Sequence, residues 1–511
     1  MNIRLERNSE IPLYKQIRTE LARRIRERIL EPGSQLPSVR VLARQLGVSL
    51  ITVVQAYDAL AADGLVHAAT GRGTFVGGLA VQPPSEGRSA EASRPLPTGE
   101  FEWQSSLPLH LHAPRIAAAQ ALLRRPALRA DVISLAGGTP DPALFPIRTL
   151  ARLWHRAMAL EDPGLLQYGG AQGDPNLRAW IAAYCETIGI AARPEDVLIT
   201  SGSAQAIDLM ARSIVGPGDY ILVESPTFPT ALDIFESCGA KLLGVPVDPN
   251  GMRVDIAAAL MERFRPRLVY VVPTAQNPTG ATMADDRRRR LAALARQHNL
   301  LVLEDDTCSE FMYDGEAPHP LKAHDAGGHI VFMKSFSKTV IPGLRVGCIV
   351  AHGGLLSRLT EAKSVMDRFT SPLIQRTLWR YLSAPQYRRD LSKARETYGR
   401  RRDAALQALE SSMPPGVTWT HPGSGFNLWL SLPDSTSATE AFEEGLREGV
   451  VTGLGDLFLP HLPPPVGIRV SFADKPEPLL AEGIRRLARA IERLLARESG
   501  RGRESEFVTT V

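Results

Sequence analysis

The chain has few cysteines and contains no long apolar run. Its cysteines (Cys185, Cys238, Cys308 and Cys348) are far apart and form no CxxC pair. This spacing excludes a disulfide framework and a zinc site and favours a reducing cytoplasm. No run of about 18 apolar residues is present, so no membrane span is predicted, and the N-terminus lacks the apolar core of a secretory signal. At 44% hydrophobic and 22% charged residues, the composition excludes a chain that is disordered throughout.

The positive charge of the chain lies at its N-terminal end. A length of 511 residues is enough for two or more domains. The formal net charge is +4, and residues 1–80 alone hold 11 Lys and Arg against 7 Asp and Glu. A small basic module joined to a neutral remainder favours an anionic partner for that module. On charge alone, an ordinary solvated helix face at residues 23–28 explains the excess equally well.

Composition and periodicity divide the chain into a helical module, a linker and an α/β domain. Residues 1–78 carry helical patterning and end in a glycine-rich stretch. Residues 79–104 are rich in Pro, Ser, Gly and Glu. They predict a flexible linker, because they cannot bury enough apolar surface to offset their ordering entropy. From 105 to 497 short β-branched runs alternate with helical periods, which is typical of α/β layers, and residues 498–511 predict a disordered tail.

The N-terminal module has the pattern of a winged helix-turn-helix. Five apolar residues repeat at every fourth position and predict one amphipathic helix: Leu13, Ile17, Leu21, Ile25 and Ile29. Ser38 is placed to cap a short second helix, Gly47 ends it, and Ser49 is placed to cap a third helix. In this geometry the third helix enters the DNA major groove. Residues 71–76, GRGTFV, predict a β-hairpin wing with Arg72 at its tip.

These residues resemble the winged helix-turn-helix of the GntR superfamily. The matching words, in order, are LYKQI, EPGSQLPSVRVLARQLGVS, TVVQAYDALAADGLV and GRGTFV. The resemblance implies that six residues contact DNA: Ser38, Arg40, Ser49, Thr52, Gln55 and Arg72. The usual Arg-Asn after GVS is replaced by Leu50-Ile51, which removes a phosphate or guanine contact. An apolar side chain there could meet a thymine methyl or could weaken DNA binding. The alternative is a wing-shaped module that binds protein.

One lysine stands out because the chain is poor in this residue, with 8 Lys against 51 Arg. Lys338 lies in MKSFSKTVIPGLRVG, after an apolar strand and before a Pro-Gly turn. A partly desolvated lysine can lose its proton and act as an amine nucleophile, which arginine cannot do. Nearby, Ser335, Ser337 and Arg345 offer hydroxyls and a forked cation, a set that suits a phosphate group.

Other residues complete the pattern of a phosphate-bearing aldehyde held as a Schiff base. The backbone amides of Ser203 and Ala204 are predicted at a helix N-terminus, where they would bind an anion. Asp305 ends an apolar strand and could pair with a protonated pyridine nitrogen. Asn277 could hydrogen-bond a ring hydroxyl, and Phe228 could stack on the ring face. Each signal is weak alone, and their combination carries the prediction.

This constellation resembles the fold-type I aminotransferases that use pyridoxal phosphate (PLP). Ten words match in the expected order: SLAGGTPDPALFP, QYGGAQGDPNLR, TSGSAQA, ESPTFP, PTAQNPTG, LEDD, SFSK, PGLRVG, GSGFNLWL and GIRVSF. The resemblance implies that Lys338 holds PLP as an internal aldimine, that Asp305 sets the pyridine charge and that Arg469 takes a substrate carboxylate. Tyr168 would approach the phosphate of a partner subunit. Where relatives carry a Tyr shortly after the Asp, this chain has Thr307-Cys308, which removes a phenol that would bind the cofactor hydroxyl.

A GntR-type winged helix joined to an aminotransferase-like domain is the arrangement of the MocR family of bacterial transcription regulators, and the chain is identified as a member. The resemblance implies an α/β fold with a mainly parallel sheet in a large part, about 134–372, and a smaller α+β part, 105–133 with 373–497. It implies PLP as cofactor, double-stranded operator DNA, a homodimer, and an effector that is an amine, an amino acid or a PLP-related molecule.

Two alternatives remain open at this point. One is a working PLP-dependent aminotransferase with a DNA-binding appendage, and the other is a vestigial domain that binds no cofactor. His110 and His112 alternate as in a strand and have no further ligand cluster, so no metal site is predicted. The sequence is silent on the effector, the operator, the regulated genes and the direction of regulation.

Overall fold

The structure, a computed structural model, describes most of the chain. The described residues are 12–27, 29–30, 34–62, 65–69, 73–76, 115, 117–118, 131–160, 163–433, 436–460 and 467–508. They form two compact units, Met1–Phe101 and Glu102–Val511. The predicted linker, 79–104, lies outside the described residues. No helix in the described part is both long and apolar enough to span a membrane.

The N-terminal unit is a winged helix. Its helices are α1 (Leu13–Arg26), α2 (Val39–Leu46) and α3 (Leu50–Ala62), and its hairpin pairs β1 (Val66–Ala69) with β2 (Gly73–Val76) antiparallel. Gly47 ends α2 in the left-handed conformation, with φ 63°, which glycine adopts without strain. Side chains from all five elements form one apolar core, among them Leu21, Leu42, Val53, Val66 and Val76. The predicted helix-turn-helix and wing are confirmed.

The first helix is shorter than its apolar repeat predicts. It ends at Arg26, and Ile29 is exposed. The amide groups of Ile29 and Leu30 both donate to the Arg24 carbonyl, which turns the chain away from the helix axis.

The larger unit is built around an eight-stranded sheet in the order β4-β11-β10-β9-β8-β5-β6-β7. These strands are β4 (Val197–Thr200), β5 (Tyr220–Ser225), β6 (Lys241–Asp248), β7 (Gly251–Met252), β8 (Leu268–Val271), β9 (Leu301–Asp306), β10 (Ile330–Ser335) and β11 (Gly347–Val350). The central pairs from β6 to β10 are parallel, and β11 runs antiparallel to both of its neighbours. The predicted α/β fold with a mainly parallel sheet is confirmed.

Helices cover both faces of this sheet, as parallel sheets require. They are α4 (Ile147–Leu160), α5 (Pro175–Thr187), α6 (Ser203–Ile214), α7 (Pro229–Ser237), α8 (Val254–Phe264), α9 (Asp285–Gln297), α10 (Gly353–Met366) and α11 (Pro372–Leu382). The side chains of β5 alternate between two apolar clusters, with Ile221 and Val223 in one and Leu222 in the other. The core therefore lies on both faces and leaves the strand ends free to carry polar residues.

A smaller α+β part packs beside the sheet. Its four-stranded antiparallel sheet has the order β12-β13-β16-β15, and β14 pairs with β3. Its elements are β3 (Ile133–Ser134), α12 (Pro385–Ser412), β12 (Thr418–Trp419), β13 (Asn427–Ser431), α13 (Ala438–Arg447), β14 (Val450–Val451), β15 (Gly453–Leu454), β16 (Gly467–Ser471) and α14 (Glu477–Val508).

Three predicted boundaries differ from the structure. Ser134 was expected in the large part, but its strand pairs with β14 of the small part. Helix α11 was expected in the small part, but Leu378 and Leu382 pack in the cluster that contains Ile199 of the large sheet. The tail expected from residue 498 is helical to Val508, because extending an existing helix costs far less than starting one.

Candidate cofactor and effector site

The polar residues predicted in the larger unit meet in one cavity of about 310 Å³ at the carboxyl ends of the parallel strands, where ligands bind in open α/β sheets. Ten of the predicted residues line this cavity: Ser203, Ala204, Phe228, Asn277, Asp305, Ser335, Ser337, Lys338, Arg345 and Arg469. They meet because β5, β8, β9 and β10 end at the same edge of the sheet.

Lys338 lines the cavity. It lies three residues after the end of β10 and is half-buried. Its Nζ donates to the carbonyl oxygen of Gly138 at 2.7 Å. Burial, together with the charges of Arg469 and Arg345, lowers the pKa of the Lys338 ammonium. A lowered pKa raises the share of neutral amine at neutral pH, which is the form that attacks a carbonyl.

Asp305 offers one free carboxylate oxygen to the cavity. Its Oδ2 accepts a hydrogen bond of 2.6 Å from the Tyr270 hydroxyl. Its buried Oδ1 has no partner among the described residues. Burial raises the pKa of Asp305 to about 7, and the Tyr270 hydrogen bond opposes this rise because it favours the carboxylate. The phenol itself stays protonated, since burial and the Asp305 charge raise the pKa of Tyr270 well above its usual value.

Tyr270 and a buried network around Gln276 were missed by the sequence analysis. Gln276 donates to Glu224 and to the carbonyl of Pro226 and accepts from the Thr279 amide. Burial raises the pKa of Glu224 to about 8. These bonds fix the turn that presents Asn277. The available signal was a polar side chain inside an apolar strand, as in LVYVV at residues 268–272.

The opposite end of the cavity is a cradle for an anion. Ser203 and Ala204 open helix α6 directly after Gly202, so their amides lie at a helix N-terminus. Gly202 has φ +91°, a conformation that favours glycine. A Cβ there would lie 2.6 Å from the Arg345 guanidinium, which would have to shift. The buried hydroxyl of Ser337 has no partner among the described residues. Amides, hydroxyls and a guanidinium suit a phosphate monoester.

Arg469 defines a second anion site. Its Nη1 donates to Asn277 Oδ1 at 3.1 Å, and its Nη2 donates to the Ala136 carbonyl. The guanidinium lies 4.8 Å from the ring centroid of Phe458. Burial lowers the pKa of Arg469 to about 10, so the side chain is still charged at neutral pH. No carboxylate in the described part of the chain forms an ion pair with Arg469, which leaves its charge for a ligand carboxylate.

The cavity fits PLP on three observations. The free oxygen of Asp305 suits a pyridinium nitrogen, the cradle with Ser337 suits the phosphate, and Lys338 suits the aldehyde. Thr307 and Cys308 also line the cavity. Burial raises the pKa of the Cys308 thiol to about 12, so it is protonated at neutral pH and is a poor nucleophile.

Tyr168 lies away from the cavity lining and is 80% exposed. Its ring packs against Phe369 with centroids 5.8 Å apart, and the Arg368 guanidinium lies over it at 5.5 Å.

The predicted DNA-contacting residues gather at the start of α2 and α3. The Ser38 hydroxyl accepts from the Val41 amide at 3.4 Å and caps α2. The Ser49 hydroxyl accepts from the Thr52 amide at 3.2 Å and lies 2.8 Å from the Thr52 hydroxyl. Gln55 is exposed on α3. Arg72 and the side chain of Arg40 lie outside the described residues.

Within the described residues no group of three or more His, Cys, Asp or Glu side chains is arranged to hold a metal ion. His110 and His112 lie outside those residues.

Comparison with protein families identifies both units. Residues 13–76 match the bacterial regulatory proteins of the gntR family, and residues 130–487 match aminotransferase class I and II. Fold and site thus define a GntR-type helix-turn-helix protein that carries an aminotransferase domain.

Individual relatives narrow this class. The uncharacterized HTH-type transcriptional regulator YisV of Bacillus subtilis is 30% identical over 459 residues, covering 88% of this chain and 90% of its own length. The probable rhizopine catabolism regulatory protein MocR of Rhizobium meliloti is 29% identical over 495 residues, covering 95% of each chain. The chain belongs to the aminotransferase class I and II family and, through its GntR domain, to the MocR family of regulators.

Solved structures identify the cofactor of this fold. LysN, an α-aminoadipate aminotransferase from Thermus thermophilus complexed with N-(5'-phosphopyridoxyl)-L-leucine, has a TM-score of 0.71 and 33% identity, covering 78% of this chain and 100% of LysN. Relatives with this fold depend on PLP, the cofactor that the cavity residues fit.

Substituting Tyr270 tests the role of its hydrogen bond to Asp305. Tyr270→Phe is expected to weaken PLP binding roughly tenfold to a hundredfold, since a hydrogen bond to a charged group contributes about 1.5–3 kcal/mol. The loss should be larger near pH 6 than near pH 9, because Asp305 without this bond has a higher pKa and ionises only at higher pH. Absorbance titration of apoprotein with PLP measures both effects.

Tyr381→Phe is the matched control for this substitution. It removes another tyrosine-to-aspartate hydrogen bond, from the buried Tyr381 to the half-buried Asp390 at 2.8 Å. PLP affinity equal in Tyr270→Phe and Tyr381→Phe would contradict the assignment.

Proposed function

We propose that this protein is a DNA-binding transcription regulator that carries PLP on Lys338 and responds to an amino-acid or other amine ligand in the same cavity. The observation that carries the proposal is the convergence of a phosphate cradle, a free Asp305 oxygen and the unpaired Arg469 charge on one half-buried lysine. The GntR domain on the same chain would bind operator DNA. A protein that binds operator DNA acts in the cytoplasm, which is the localisation we propose.

Each cavity residue has a distinct task in this proposal. PLP, when bound, supplies an electron sink and an aldehyde that reacts with amines. Asp305 holds a proton at the pyridine nitrogen, and Asn277 binds the ring hydroxyl. Arg469 orients the ligand carboxylate, and the Gly138 carbonyl provides an acceptor for the Lys338 ammonium.

Exposed apolar side chains support a homodimer. Five exposed large apolar side chains lie on or near α4 and the end of α10: Ile147, Trp154, Met158, Leu166 and Val365. Exposed apolar patches mark interaction sites, and a second copy of the chain is the partner we propose. Tyr168, exposed beside Phe369, would then reach the phosphate of the partner subunit. Two winged helices would read two half-sites.

Arg115 offers a route from the cavity to the segment that follows the predicted linker. Its guanidinium donates to Asp233 at 3.2 Å and also to Glu236, both on α7. It donates further to the carbonyls of Leu459 and Pro460 at 3.3 and 3.4 Å. Arg115 therefore joins the segment after the linker to two parts of the chain that border the cavity.

One of those parts adjoins a cavity residue along the chain, and the other packs on one. Helix α7 begins directly after Phe228, which lines the cavity. Phe458 immediately precedes Leu459 and packs on Arg469. The amide of Thr227 donates to the Phe458 carbonyl at 2.8 Å and joins the two. A ligand on Arg469 would thus bind close to the contacts of Arg115. A response at the DNA-binding unit requires that the ligand bind with different affinity to two conformations of the protein.

The alternative function is a working aminotransferase with a DNA-binding appendage. It is favoured by the assembly of Lys338, Asp305, Asn277 and Arg469 in one cavity. An amino-acid panel separates the two functions. Stoichiometric pyridoxamine formation without further turnover supports the regulator, whereas sustained turnover with a keto acid supports the enzyme.

Covalent attachment of PLP is tested at Lys338. Lys338→Ala is expected to lack the visible absorbance band of the PLP-loaded protein, and borohydride should leave a pyridoxyl adduct on Lys338 only in the wild type. Absorbance spectra and peptide mass spectrometry check this. Lys393→Ala, which removes an exposed lysine, should keep the band. A colourless wild type saturated with PLP, with no adduct, would refute the cofactor role.

The DNA surface is tested at Arg40. Arg40→Ala is expected to weaken operator binding by about 1–3 kcal/mol, the usual cost of one lost base contact. Fluorescence anisotropy over a salt series measures affinity, which should fall steeply with salt if phosphates dominate binding. Arg23→Ala removes an arginine already paired with Glu20 and Glu27 and serves as control. Equal affinities of the two variants would place the recognition surface elsewhere.

The coupling route is tested at Arg115. Arg115→Ala is expected to bind the amino-acid ligand with near wild-type affinity but to lose the ligand-dependent change in operator affinity. Anisotropy with and without ligand measures this change. Arg212→Ala removes an exposed pair with Asp208 in the same unit and should retain the response. A full response in Arg115→Ala would rule out this route.

A further inference from the structure

Asn427 is a buried polar residue that none of the tasks above uses. Its side chain lines the cavity and is only 8% exposed. Its Oδ1 has no hydrogen-bond partner among the described residues. A buried acceptor without a partner costs about 1–3 kcal/mol, and in native proteins such groups are usually satisfied or have a specific use. A bound ligand would supply the missing partner.

The main chain of Asn427 is held on two sides. The residue opens β13 and pairs with Ser471 of β16. Its carbonyl oxygen lies 2.6 Å from the place that a Cβ on Gly280 would occupy. Strand pairing and this close approach fix the position from which the side chain reaches the cavity that it lines.

Distances from Gly138 give the position of the Asn427 side-chain amide relative to Arg469 and Lys338. The position of a Cβ on Gly138 would be 3.1 Å from Asn427 Oδ1 and 3.3 Å from Arg469 Nη1. The carbonyl of Gly138 accepts the hydrogen bond from Lys338. Asn427 therefore stands beside both the carboxylate site and the reactive amine. The positive charge of Arg469 attracts the oxygen end of the amide, which supports the observed orientation.

The chain neighbours of Asn427 are apolar, and few charged acceptors line the cavity. Phe426, the preceding residue, lines the cavity with it. Asp305 is the only carboxylate among the described residues that line the cavity. A ligand side chain at Asn427 therefore meets a neutral acceptor next to the ring of Phe426.

We propose that Asn427 determines ligand specificity: its Oδ1 accepts a hydrogen bond from a donor group on the side chain of an amino acid whose carboxylate lies on Arg469. The effector class is then an amino acid with an uncharged hydroxyl or amide side chain. The proposal deepens the proposed function and rests on it. A site built to accept a hydrogen bond discriminates strongly against isosteres that lack the donor, because the buried acceptor is left unsatisfied.

Isosteric amino acids test this on the PLP-loaded protein. The probes are L-threonine against L-valine and L-asparagine against L-leucine, which differ in polarity and hardly in shape. The wild type is expected to bind at least one polar member about tenfold more tightly than its isostere, as one hydrogen bond implies. The change in visible absorbance gives dissociation constants, and melting temperatures provide an independent readout.

Asn427→Leu replaces the amide by an apolar group of the same shape. The ratio of dissociation constants between each polar amino acid and its isostere should fall to about one. The visible band and the melting temperature should be kept, because the substitution removes a buried unsatisfied acceptor. Asn427→Ala serves as a second variant and should give the same loss of preference. A wild type without preference in either pair overturns the proposal.

Two further outcomes would also overturn the proposal, in different ways. If Asn427→Leu weakens the binding of threonine and of valine equally, the Asn427 amide contacts the carboxylate that both amino acids share and not their side chains. If no amino acid perturbs the absorbance of PLP-loaded protein, the ligand site of the proposed function fails as well. If the amino acids bind and only the preference is missing, the proposed function stands and the role of Asn427 alone is lost.

Discussion

The site depends on charged and polar groups that the fold buries without a full set of partners. The hydrogen bond from Tyr270 occupies one oxygen of Asp305 and leaves the other free. Arg469 has only neutral partners in the described part, Asn277 and the Ala136 carbonyl. An unpaired buried charge destabilises the folded state. The packing of the surrounding side chains must offset this loss in the free energy of unfolding. A ligand with a pyridinium at one end and a carboxylate at the other relieves both costs.

Close backbone approach gives this arrangement its geometry. Gly138 lines the cavity with φ +58°, and a Cβ there would lie only 3.1 Å from Asn427 Oδ1 and 3.3 Å from Arg469 Nη1. Gly202, with φ +91°, directly precedes Ser203 and Ala204, which line the cavity near Arg345. Glycine adopts both conformations without strain, which lets main-chain groups act as fixed donors and acceptors at the site. The shape of the cavity therefore depends on these glycines as well as on the charged residues.

The sequence predicted site residues that lie at or just after the end of an apolar strand. It did not predict residues that reach the site only because distant segments of the chain pack together. Lys338 and Asp305 could be predicted because each ends or follows an apolar run and brings a group that an α/β strand end can use. Tyr270 resembles any core tyrosine until its hydroxyl is seen to meet Asp305. Asn427 and Gly138 come together only through tertiary packing. The sequence assigned residues 373–382 to the small part, because apolar periodicity cannot indicate which sheet a helix covers.

The sequence predicts a linker at residues 79–104, and a flexible linker would transmit geometry poorly. The proposed ligand signal therefore requires an anchor in the larger unit. The contact of Phe458 with Arg469 and its backbone bond to Thr227 connect the carboxylate site to the start of α7. Arg115 binds that helix and the carbonyls that follow Phe458. A ligand shifts an equilibrium only by its differential affinity for the two states, so the proposed coupling requires that a carboxylate bind Arg469 with different affinity in each state. Phe458, whose ring centroid lies 4.8 Å from the Arg469 guanidinium, is the side chain through which such a difference would reach the anchor.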